Sequence, residues 1–130
     1  MSSAPSVTVS IARDPALVRT VRLIAAAVAR RTGGDEDFVE EVRLAIGEAC
    51  ALLVGEDEQA DPPTEPITVV MSIDDQLMVK VTAAEVAEPT IPAAGIEPWA
   101  LLRGLIDDFE IVRNGATTTV SMSWPTVPGF

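Results

Sequence analysis

Val7, Val9 and Ile11 alternate with Thr8 and Ser10, the two-residue period of a strand with one wet face. Asp14-Pro15 then reads as an N-cap followed by proline at the first helical position. The helix it opens carries Leu17, Val21, Ile24 and Val28 on one stripe and ends near Gly33-Gly34, where glycine suits the left-handed backbone of a C-cap. Asp35 caps a second helix, in which Phe38, Val42, Ala45, Ala49, Leu52 and Leu53 recur at helical spacing up to Gly55. From Glu56 to Pro66 come five acidic residues and three prolines, so this stretch is expected to be an exposed loop.

Strand periodicity returns at 67–73 and 77–83, with Asp74-Asp75-Gln76 as the turn between them. Ile67, Val69, Met71 and Ile73 form the buried set of the first strand, and Leu77, Val79 and Val81 that of the second. No regular period runs through 84–97, which reads as a long loop. Pro98 opens a third helix carrying Trp99, Leu102, Leu105 and Ile106. Strands at 109–113 and 117–124 are joined at Asn114-Gly115, a strong hairpin signal. In the last strand Thr118, Val120, Met122 and Trp124 share one side. The expected fold is α+β: a two-layer sandwich of a mixed, mostly antiparallel sheet with three helices on one face. Residues 1–130 form a single domain with short flexible ends, as their number suggests.

Nine basic residues against twenty acidic ones give a net charge of -11 and a pI near 4.2. Nucleic acid and anionic membrane surfaces are poor partners for such a chain, because both are bound by clustered Lys and Arg. Arg13, Arg19, Arg22, Arg30 and Arg31 lie in or beside the first helix and are expected on its outer face. The N-terminus lacks the basic run and apolar core of a secretory signal. Cytoplasm is therefore the expected location.

The chain has one cysteine, Cys50, and no histidine, which excludes an intramolecular disulfide, a Cys/His zinc site and histidine acid–base chemistry. Cys50 reads as a small buried apolar residue with no base to activate it. Glu48 falls at the edge of the apolar face of the second helix, with Leu52 one turn along the same edge. Trp99 and Trp124 read as packing residues. The acids Glu56, Asp57, Glu58 and Asp61 lack the glycine and the spacing of a calcium loop.

The run PALVRTVRLIAAAVARRTG at 15–33, EVRLAIGEAC at 41–50 and LIDDFEIVRNGATTTVSM at 105–122 resembles the anti-sigma-factor serine kinases of the RsbW and SpoIIAB type. These are single-domain members of the GHKL, or histidine-kinase-like, ATPase superfamily, whose Bergerat-type fold has the element order read above. In that family a Glu-x-x-x-Asn motif on the second helix supplies a general base and an amide for magnesium. Glu48 matches the acid, but the Asn position is Leu52, which has no oxygen for a hard cation. The family's Asp-x-Gly-x-Gly motif falls on Ala83, Glu85 and Ala87, and its later Gly-x-Gly on the stretch Ile96-Glu97-Pro98. There proline removes an amide that would face phosphate, and glutamate adds repulsion.

The resemblance thus implies a pseudokinase: a regulatory domain that binds a sigma factor or a STAS-domain anti-anti-sigma protein, with no cofactor, no metal and no turnover, and a possible homodimer. Glu48 remains as a vestigial base. Arg19 falls on a family position that contacts partners, and Arg22 is grouped with it. One alternative is an active protein serine kinase that uses ATP and magnesium on a STAS partner. A second is a non-catalytic subunit paired with an intact paralogue.

Overall fold

The computed structural model describes residues 5–54, 65–84, 100, 104, 106 and 108–125. Its elements run β1 (Ser6–Ile11), α1 (Pro15–Arg31), α2 (Glu36–Val54), β2 (Ile67–Ile73), β3 (Gln76–Ala84), β4 (Phe109–Asn114) and β5 (Thr117–Pro125). Both helix starts are set by the expected caps. Asp14 accepts a hydrogen bond from the Ala16 amide at 2.9 Å, with Pro15 in the first turn, and Asp35 accepts one from the Phe38 amide at 2.9 Å. Each cap satisfies an amide that has no partner inside its helix.

Among the described residues, five strands form one sheet in the order β1-β2-β3-β5-β4, and its four ladders are all antiparallel. The expected mixed sheet is corrected on this point. β4 runs in the direction of β3, but β5 inserts between them and the parallel contact never forms. The β4–β5 turn is centred on Gly115 and Ala116, one residue later than read from Asn114-Gly115, since Asn114 still pairs with Thr117. Gly115 has φ 64°, the positive φ that a primed hairpin turn requires.

One sheet face carries the core. Val69 faces Val81, which faces Val120, and Met71 faces Val79, which faces Met122, all of them buried. Val21, Ala25 and Ala29 of α1 and Val42, Ile46, Ala49 and Leu53 of α2 close that core from the helical layer. The helices pack on each other, and α2 rests on β2 and β3. Two complete helices are present among the described residues. Of the expected third, Ala100 and Gly104 are helical and Ile106 is buried, while Trp99, Leu102 and Leu105 lie outside the described residues. So do 56–64 and 85–97 of the two expected loops, and the expected flexible ends at 1–4 and 126–130. Among the described residues, no helix is long and apolar enough to cross a membrane.

Candidate functional site

The chemistry-bearing positions expected from the sequence lie on α2 and β3, two elements that pack on each other. Glu48 is half-buried on α2. One turn further on, Leu52 is also half-buried and packs against the hydrophobic core, so the carboxylate of Glu48 has an isobutyl group, not an oxygen ligand, as its neighbour on that edge. Ala83, next to the last residue of β3, is 1% exposed and offers a methyl group at the strand end. Glu85, Ala87, Ile96 and Pro98 lie outside the described residues. Among the described residues, no three His, Cys, Asp or Glu side chains gather as a metal site.

Cys50 is buried. Burial raises its thiol from 9.0 to about 12, and the charge of Arg22 pulls the other way without offsetting it. At neutral pH it is a packed thiol with almost no thiolate.

The five arginines do not form one outer face, and the structure separates them for identifiable reasons. Arg13 precedes α1 and folds back over the end of the sheet, where its Nε donates to the Glu65 carbonyl at 2.9 Å and its Nη2 donates to the Ala84 carbonyl. It thereby satisfies carbonyls where β2 begins and β3 ends. Arg22 is half-buried, and its Nε is fully buried with no hydrogen-bond partner among the described residues. It lies over Gly47 of α2, so closely that a Cβ there would overlap Nε and come within 3.0 Å of Cγ and Cδ. Arg30 is exposed and paired with Glu36 at 3.5 Å. Arg19 and Arg31 are exposed.

Reading Arg22 from the helical wheel alone missed its turn toward α2. The signal available for it was Gly47 itself. A glycine inside a helix costs about 1 kcal/mol relative to alanine and often marks a close approach. Arg13 carried no such signal, because its carbonyl partners lie 52 and 71 residues away.

A family model described as the histidine kinase-like ATPase domain matches residues 11–124. No curated protein matches the chain. Among solved structures, the crystal structure of the RsbU and RsbW domains of Rv1364c from Mycobacterium tuberculosis superposes with a TM-score of 0.74 at 17% identity. That match covers 96% of this chain and 33% of the other, so the chain spans about a third of the length of that protein, and the likeness is one of fold.

Proposed function

The chain belongs to the histidine kinase-like ATPase domain family, and within it we propose an RsbW-like regulatory domain that binds a protein partner of a sigma-factor pathway without turning over ATP. The partner is a sigma factor or a STAS-domain anti-anti-sigma protein, and the domain acts as a homodimer. One observation carries the non-catalytic reading. On the edge of α2 that bears Glu48, the next turn presents Leu52 packed on the core, and the end of β3 presents the buried methyl of Ala83. A magnesium–nucleotide site needs hard oxygen ligands and a hydrogen-bond acceptor for the base. Neither side chain has an oxygen.

The protein-binding part of the proposal rests on Arg19. It is exposed on α1 with no ion-pair partner among the described residues, on a chain of net charge -11. An isolated positive group on an acidic molecule steers an acidic partner surface to that place and away from the rest. Arg22, grouped with it on the sequence, is half-buried and turned toward α2.

Titration calorimetry with ATP and magnesium, run beside affinity capture from the native host, tests both parts. The expected result is no heat of nucleotide binding and recovery of a sigma factor or STAS protein. Micromolar magnesium-dependent ATP binding would move the reading to an active serine kinase, and capture of neither partner class would end the sigma-pathway assignment.

A further inference from the structure

The sheet has a second face, turned away from the helices, to which alternate residues of every strand point. The registers set these residues in transverse rows, one of which runs Thr8, Val70, Lys80, Ser121 and Glu110 across the five strands. Among the outward residues of the strands only Lys80 and Glu110 are charged, and most of the others are serine or threonine. On a chain of net charge -11 this face is therefore neutral. The excess of acids lies elsewhere, α2 alone carrying Glu36, Asp37, Glu40, Glu41 and Glu48.

The two charges are placed symmetrically about one strand. Lys80 and Glu110 both pair with Ser121, the lysine from β3 on one side and the glutamate from β4 on the other. They stand about 10 Å apart at one level, with β5 midway between them. Both are exposed, and neither has an ion-pair partner among the described residues. On the same face a groove of about 450 Å³ passes over Ser121 and Ser123, with Gln76 and Met78 along one side and Asp108 and Glu110 along the other. The small serine side chains leave its floor low. Met78 is 45% exposed beside it.

We propose that two copies of this chain meet here sheet to sheet, about a two-fold axis that runs close to β5 and passes over Ser121. This rests on the homodimer reading above and names its contact. Sheets packed face to face lie about 10 Å apart with their strands within about 30° of each other. The axis exchanges the two sides of β5, so Lys80 of each copy comes over Glu110 of the other while Ser121 faces Ser121. It also carries Met78 of each copy over the groove of the other. Charge selects this axis, because one along β3 would set Lys80 over Lys80 and one along β4 would set Glu110 over Glu110. Such complementarity fixes register more than it adds affinity. A second copy is singled out because one face supplies both members of each ion pair, as an isologous contact requires. Neutrality matters as well, since two chains of charge -11 repel wherever their acids face each other.

Sedimentation equilibrium of the whole chain, up to about 100 micromolar, tests this. The expected species has twice the 13.7 kDa chain mass. Lys80→Glu sets acid over acid at both junctions and Glu110→Lys sets base over base, so each variant alone is expected to weaken association at least about tenfold. Glu110→Lys does so although it lowers the net negative charge of the chain. An equimolar mixture of the two variants is expected to recover the association of the wild-type chain, because each junction of the mixed pair again holds one cation and one anion. The circular dichroism spectrum stays unchanged, since both positions are exposed. A wild-type chain that stays monomeric at every concentration overturns both this contact and the homodimer. A dimer that either variant leaves intact, or a mixture that associates no better than its components, overturns the contact alone, and the homodimer reading then stands on another surface.

Discussion

Arg22 of α1 crosses α2 directly over Gly47, and the space it fills exists only because residue 47 has no side chain. The aliphatic stem is thereby laid into the groove between the helices, with its Nε buried and without a hydrogen-bond partner among the described residues.

This relationship predicts a change of sign. Gly47→Ala in the wild-type chain pushes Arg22 out of its groove and is expected to be neutral or destabilising. In an Arg22→Ala background the space is empty, and the same substitution is expected to stabilise by about 1 kcal/mol through helix propensity alone. Urea denaturation of the four chains of this cycle measures it. Additive effects would show that the two residues are not in contact.

Arg22→Met keeps the aliphatic stem and removes the buried nitrogen that has no partner among the described residues. The expected gain is about 1 kcal/mol, since exchanging an unsatisfied polar group for an apolar one of similar shape is neutral to stabilising. A loss above about 1 kcal/mol in the same assay would mean that the guanidinium is well satisfied in solution.

Leu52→Ala is expected to cost about 2 kcal/mol, the low end for removing a packed leucine, because Leu52 is half-buried and not fully enclosed. Denaturant melts decide it. A cost near zero would place Leu52 in a solvent-lined pocket and would weaken the non-catalytic reading.

Arg19→Glu is expected to weaken binding to a captured partner and to lower its salt dependence, while leaving the melting temperature within a degree or two. Surface plasmon resonance at two ionic strengths, beside thermal melts, provides both readouts. Unchanged affinity would move the partner interface off this part of α1.

Cys50 sets a pH dependence whose sign follows from its shift. The folded thiol titrates at about 12 against 9.0 unperturbed, so between these values the unfolded chain has lost a proton that the folded chain keeps. Its contribution is present in full below pH 9.0, and stability falls as pH rises from there toward about 12. Cys50→Ala removes this component, so its stability is expected to fall less steeply over that window. Parallel slopes for the two chains would show that Cys50 is not buried in solution.

The elements and their inward faces were legible in the chain because they depend on neighbours within a few residues. Asp14 and Asp35 announce their caps, the 2.0 and 3.6 periods separate strands from helices, and Val120, Met122 and Trp124 point inward as their alternation requires. The resemblance carried by α1 and α2 led to the histidine kinase-like family before any fold was visible. Tertiary structure decided the rest. No periodicity tells that β5 lies between β3 and β4, that Arg13 reaches carbonyls 52 and 71 residues away, or that Arg22 leaves the solvated face for the gap over Gly47. Nor does it show that Val7, inward by its alternation, remains 41% exposed because β1 is an edge strand beside an open groove. Periodicity records which way a side chain points from its own element, and only the packing of distant elements determines what it meets there.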